Sequence, residues 1–407
     1  MRSCFTRLFS TLLFAVAVWG PVATASAAEW PAFRGPNHDG KSTETGLLKQ
    51  WPAEGPKLLW KATDIGKGYS TVSTDGSTIL ITGDVDDKFM LFAFDMNGKP
   101  QWKKEICPAW TGDHPGARST PAIDGGNLYL LSATGLLGCY DLKTGAPKWS
   151  RKMEEFGGTP NRWAYAESPL IIGDSVMVKP GGTNFIVAMN KADGTQIWAG
   201  KGFTAASEYS SLVPFAFDNT PMLVTGSDAG LACFNAQTGA FLWSNEFSAK
   251  NTANCASPAY ADGYVFWSNG YGQGGICMKL EPGGKATPAW TTKDMVCHHG
   301  GYIIDKGYIY GDNGKGVSCL DLKTGEVKWK DPAVGKGSLC WAEGMLYLFG
   351  EKEGQAALAT CSPTGLEIEG KVKVDGEGPS WAYPVVAGGR LYLRYDVNLY
   401  CFDVKAK

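Results

Sequence analysis

Cys139-Tyr140-Asp141-Leu142-Lys143-Thr144-Gly145, leading to Trp149, and Cys319-Leu320-Asp321-Leu322-Lys323-Thr324-Gly325, leading to Trp329, are one phrase written twice. Each reads as a short apolar strand, an acidic residue, a Thr-Gly turn and a second strand that ends in tryptophan. Weaker copies run from Asp95 to Trp102, Asn190 to Trp198, Asn235 to Trp243 and Leu280 to Trp290. A degenerate copy at Thr364-Gly365 puts Ile368 where the tryptophan belongs.

The terminal position falls at residues 60, 102, 149, 198, 243, 290, 329 and 368, eight copies about 44 residues apart on average. That period suits a four-stranded antiparallel blade with its turns, and predicts an all-β, eight-bladed β-propeller. The ends complete the count. Trp60, in Pro56-Lys57-Leu58-Leu59-Trp60, has no repeat strand before it, and Leu399-Tyr400-Cys401-Phe402-Asp403 has no tryptophan strand after it. The N-terminal strand is therefore expected to finish the last blade, which removes the unpaired sheet edges an open ring would leave. Upstream strand pairs, such as Ser119-Thr120-Pro121-Ala122-Ile123 with Gly126-Asn127-Leu128-Tyr129-Leu130, supply the other half of each blade. Proline opening the first strand fits an edge that faces the channel. The organisation expected is a lead segment at residues 29–55 and the propeller at 56–407.

The first 28 residues read as a secretory signal: Arg2 and Arg7 ahead of the apolar run from Leu8 to Trp19, then Ala25-Ser26-Ala27 as a small-residue cleavage site. Its removal would take the formal charge from -2 to -4, since no acidic residue precedes Glu29. The remaining Lys and Arg are scattered, which argues against nucleic acid and against a polybasic membrane patch. A periplasmic or extracellular protein without a membrane span is expected, as a monomer.

The Asp-Leu-Lys-Thr-Gly-x-x-x-Trp phrase, together with Trp30-Pro31-Ala32-Phe33-Arg34-Gly35-Pro36, resembles the pyrroloquinoline-quinone (PQQ) repeat propellers over roughly residues 30 to 407. That family includes quinoprotein alcohol dehydrogenases and BamB-type outer-membrane assembly lipoproteins, which carry the repeat without the cofactor. The resemblance implies that Trp60, Trp102, Trp149, Trp198, Trp243, Trp290 and Trp329 dock between neighbouring blades, where truncation to alanine should cost several kcal/mol as buried aromatics do.

Two residues before the Asp-type position the blades carry Ala93, Cys139, Ala188, Cys233, Cys277, Cys319, Ala359 and Cys401. Only alanine or cysteine occurs in that slot, so these five cysteines read as small buried hydrophobes rather than disulfide partners. A bridge among Cys107, Cys255, Cys297, Cys340 and Cys361 stays open.

In propellers, function gathers at the channel mouth, where the loops between blades converge. That register collects His114, Arg118, Arg162, Trp163, Glu167, Glu208, Tyr209, Asn254, His298, His299, Lys336 and Trp381 as ligand-binding candidates. Adjacent histidines on an extended strand point to opposite faces, so no metal site is expected from His298 and His299. The sequence holds no nucleophile phrase, zinc signature or phosphate-binding glycine loop. An exported, non-catalytic binding or scaffold module for a protein or small ligand, without a cofactor, is the first expectation. The alternative implied by the resemblance is a PQQ-dependent alcohol or sugar dehydrogenase with Ca²⁺ in the channel. It would use Trp381 or Trp163 as a stacking platform, Glu167 and Asn254 on the metal, and Arg118 or Arg162 on the quinone carboxylates. Such enzymes also carry an adjacent Cys-Cys pair, and this chain has none.

Overall fold

The computed structural model describes residues 29–407; the expected signal sequence lies outside them. No helix among the described residues is long and apolar enough to cross a membrane.

Eight four-stranded antiparallel units follow one another along the chain. Blade 4 shows the pattern in Val213–Phe217, Thr220–Ser227, Gly230–Asn235 and Phe241–Asn245, each strand paired with the next. The first strands of neighbouring blades contact one another through blades 1 to 3 and through blades 5 to 8, lining the central channel. Blade 8 is built from both chain ends, as expected: Lys57–Ala62 pairs antiparallel with Asn398–Asp403.

The repeat phrase has a direct physical reading. In the turn, the Asp141 carboxylate accepts bonds from the backbone N–H of Lys143 and Thr144 and from the Thr144 hydroxyl, and Asp321 and Asn235 do the same in their blades. These side-chain caps fix the turn. The glycine then brings the chain close to the preceding blade. Gly98 and Gly239 have φ of 78° and 70°, and a Cβ there would lie 2.5 and 2.4 Å from the indoles of Trp60 and Trp198. Only glycine satisfies both demands.

The small-residue slot is explained by register. In all eight blades the slot residue lies directly across from the terminal position: Cys401 from Trp60, Ala93 from Trp102, Cys139 from Trp149, Ala188 from Trp198, Cys233 from Trp243, Cys277 from Trp290, Cys319 from Trp329 and Ala359 from Ile368. A bulge adjoins every one of these pairs, and a small partner leaves the indole room to reach the next blade. All five slot cysteines are buried and free, and Cys107, Cys255, Cys297, Cys340 and Cys361 are free as well. The docking tryptophans are less buried than expected. Trp243 alone is fully covered, at 7% exposure, while the other six keep an edge in solvent. The several-kcal/mol cost therefore applies to Trp243, and smaller losses to the rest.

Ile368 lacks a tryptophan for a structural reason. Blade 8 has no Thr-Gly turn, because its third and fourth strands come from opposite ends of the chain. Trp51 of the lead segment takes the place: its N–H bonds Glu369 O, and its Cβ would lie 2.5 Å from a Cβ added at Gly370.

The apolar core is distributed between blades. Six buried clusters each join two consecutive blades, and a seventh joins blades 7, 8 and 1 with Trp30, Leu47 and Trp51. The lead segment thus crosses the channel end opposite the inter-blade loops. Trp30 pairs with Thr74 of blade 1, and Ile123 N of blade 2 donates to Pro31 O. Further along, Lys41–Ser42 adds a parallel strand to Gly337–Ala342 of blade 7, and Glu44 accepts from Gly388 and Gly389 N of blade 8.

Candidate functional site

At the opposite end, the loops that carry the chain from one blade to the next surround a cavity of roughly 250 Å³ on the channel axis. Its floor is Phe33 of the lead segment against Tyr383, edge to face at 5.3 Å. The channel is therefore a cup closed from below.

Of the twelve candidates, seven line the cup: His114, Arg118, Trp163, Tyr209, His298, His299 and Trp381. Trp381 is the centre of an aromatic group, with Tyr69 at 4.6 Å, His114 at 5.5 Å and His299 stacked at 4.2 Å. Its indole N–H donates to Glu351 at 3.0 Å, and Glu351 pairs with Lys336 at 2.6 Å. Lys336 stands behind the wall, 3.2 Å from His298 Nδ1. Arg162 sits on the rim, 68% exposed, its guanidinium 4.7 Å over Trp163 and 3.6 Å from Asp113.

Glu167, Glu208 and Asn254 are buried behind the wall. The Glu167 carboxylate accepts the backbone N–H of Lys179, and Asn254 donates to Glu208 at 2.6 Å and to Ala249 O at 3.0 Å. The loops run nearly extended here, so neighbours alternate: Ala166 and Ser168 face the cup around Glu167, and Ala253 and Cys255 around Asn254. Choosing the polar member of each stretch therefore selected the wrong face. Tyr69, Cys255, Tyr271, Tyr383 and Phe33 line the cup without having been singled out. The alternation could have pointed to Cys255. Nothing in the repeat announces Tyr271, which stands on the turn between Tyr264–Asn269 and Gly274–Glu281.

The expectation that the two histidine rings point to opposite faces fails. His298 and His299 lie in a bend rather than a strand, and their rings are 3.7 Å apart on the same side. Burial and the Lys336 cation lower His298 to about 4, and burial with its neighbour pushes His299 well down. Both imidazoles are neutral at pH 7. Burial raises Glu208 to about 7 against the pull of Asn254, and pushes Glu167 up and Lys179 down, each partly offset by the other. The Arg118 guanidinium spends donors on the carbonyls of Gly116 at 2.6 Å, Asp113 at 3.3 Å and His114. The cup thus offers flat aromatic faces, two neutral imidazoles, a thiol and a guanidinium.

A family model described as outer membrane protein assembly factor BamB matches residues 87–331. No curated protein matches the chain in sequence. Among solved structures, BamB from Moraxella catarrhalis aligns over 86% of this chain and 98% of its own, with a TM-score of 0.64 and 15% identity. The quinohemoprotein alcohol dehydrogenase from Comamonas testosteroni aligns over 95% and 82%, with a TM-score of 0.67 and 13% identity. The computationally designed Ika8 protein aligns over 86% and 100%, at 0.60 and 10%. At such identities the likeness speaks for the fold alone, which BamB and an alcohol dehydrogenase share. The family match spans more than half of the sequence and falls on the same repeats that build the blades, so this chain belongs to the PQQ-repeat family described as outer membrane protein assembly factor BamB.

Proposed function

We propose that the protein is an exported, non-catalytic binding propeller that holds a small, flat ligand in the cup and offers its outer faces to a protein partner. The observation that carries this reading is the closed, aromatic cup: Trp163, Tyr209, Trp381 and Tyr69 provide stacking faces, and Phe33 with Tyr383 blocks passage beneath them. Concave sites of mostly apolar lining with a few polar groups are the usual form of small-molecule sites. The name of the matching family supports the partner half of the reading.

The residues present do not fit PQQ over Ca²⁺. A hard cation needs several oxygen ligands, yet no lining residue carries a carboxylate, and the Glu167 and Asn254 side chains are engaged behind the wall. Three of the N–H donors of Arg118 are already committed to backbone carbonyls.

The test is a thermal-shift and tryptophan-fluorescence screen of the purified chain against quinones, other planar aromatics and sugars. A planar hit should lose its shift in Trp163→Ala while the melting temperature of the free protein stays within a few degrees. Saturable binding of PQQ with Ca²⁺, accompanied by alcohol-dependent dye reduction, would replace this reading with the dehydrogenase.

A further inference from the structure

We infer that Cys255, His298 and His299 form a site for a borderline-soft transition metal ion, of the zinc or copper class, with an open coordination position facing the cup. The sulfur of Cys255 and one ring nitrogen of each histidine lie within 4.8 Å of one another. Tetrahedral bond lengths to sulfur and nitrogen would bring such atoms to roughly 3.5 Å, a contraction within reach of side-chain rotation.

Three further features point the same way. His298 Nε2 and His299 Nδ1 are buried without a hydrogen-bond partner, a cost that a bound ion would remove. The rings are held from outside: Trp381 stacks on His299 within 16° of parallel, and Tyr271 meets His298 edge-on at 4.7 Å. Behind them, Glu351 accepts the Trp381 indole N–H, which fixes the face on which His299 stacks. The donor set decides the ion. A thiolate with two imidazoles selects zinc or copper over Ca²⁺ and Mg²⁺, and binding displaces the thiol proton. Three protein ligands leave a fourth position for an exogenous donor.

Lys336 opposes the ion. Its ammonium lies 3.2 Å from His298 Nδ1 and acts on that ring more strongly than the Glu351 carboxylate with which it pairs. The site's affinity should therefore rise when that charge is removed, which a merely structural role for Lys336 would not produce.

This inference takes from the proposed function only the location of the binding cup. The experiment uses chelator-stripped protein titrated with Zn²⁺ by calorimetry and with Co²⁺ by absorption spectroscopy. One equivalent of each ion should bind, Co²⁺ with a thiolate charge-transfer band, while Ca²⁺ and Mg²⁺ give no response. Cys255→Ser and His299→Ala should each weaken Zn²⁺ by more than the ~10–100-fold that loss of a supporting partner costs, and Lys336→Met should strengthen it. Absence of Zn²⁺ binding, a Co²⁺ spectrum without the thiolate band, or affinities unchanged in both ligand variants would overturn the site. The wild-type Co²⁺ spectrum decides the matter even if a variant fails to fold. Should the metal bind while no planar compound does, the organic-ligand reading fails and the metal site stands.

Discussion

Blades 1 to 5 and blades 6 to 8 solve the same problem, joining sheet to sheet around the channel, by different means. In the first group a hydroxyl relay does it: Thr71 N donates to Thr120 Oγ1 at 3.0 Å, Thr120 N to Ser168 Oγ at 2.9 Å, Ser168 N to Ser211 Oγ at 3.1 Å and Ser211 N to Ser257 Oγ at 3.0 Å. Two residues before the first strand, where those hydroxyls stand, blade 6 has Gly300 and blade 8 has Tyr383. There the lead segment takes over. Arg34 donates to Tyr302 O at 2.6 Å, Lys41–Ser42 extends the sheet of blade 7, and Ser42 Oγ donates to Val386 O at 2.7 Å. The relay belongs to the repeat, whereas the strap is extra chain. Cys255, His298 and His299 sit where one device hands over to the other.

Removing residues 29–48 is the strongest way to break this contrast. Trp30 and Leu47 are almost fully buried, each worth about 2–3 kcal/mol of burial. Loss of the segment should cost roughly 5 kcal/mol or more, felt in blades 6 to 8 and at the ends of blades 1 and 2 that bond Trp30 and Pro31. Hydrogen exchange should show protection falling in Gly337–Ala342 and Val385–Ala387 while Leu170–Ile172 holds. Uniform loss around the ring would mean that the two groups form one cooperative unit.

The relay is probed by Ser168→Ala, which strands the buried Thr120 N–H. A buried donor without a partner costs about 1–3 kcal/mol, measurable by chemical denaturation. The same substitution at Ser77, an exposed hydroxyl bonded to Asp75 in its own turn, should cost far less.

Acid should sharpen the contrast with the smallest effect. Glu343 accepts the N–H groups of Leu47 and Gly46 and pairs with Lys49, which holds it down to about 2. A depressed carboxylate stabilises the fold above its ordinary pKa near 4.5 and loses that contribution as pH falls toward 2. Burial lowers His38 to about 4, so protonation between 6.5 and 4 also favours the unfolded chain. Asp39, raised by burial, acts in the opposite direction. Both downward-shifted groups lie on the strap or its anchor, so mild acid should raise exchange in blades 6 to 8 first. The serine and threonine relay has nothing to titrate in that range.

The blade count, the joining of the two chain ends and the alanine-or-cysteine slot were legible because each is periodic, and periodicity averages over weak individual signals. The cup was half legible. His114, Trp163 and Trp381 were found from their place in the inter-blade loops, but Glu167 and Asn254 were assigned to the wrong face, because one residue of phase decides which neighbour looks inward. The strap was read only as a lead segment, without its contacts. Residues 29–55 repeat nothing, so no second copy exposes which of its side chains are structural, and Phe33 could not be connected to a cup whose other lining residues begin only at Tyr69.

The blade shared by the two chain ends has a consequence for biosynthesis. Lys57–Ala62 is made long before its partner, Asn398–Asp403. Closing so long a loop costs about 3 kcal/mol more than closing a ten-residue hairpin. Until that stretch has been made, the Lys57–Ala62 edge has no strand to pair with. A product truncated before Asn398 therefore keeps an open sheet edge for chaperones and proteases to recognise.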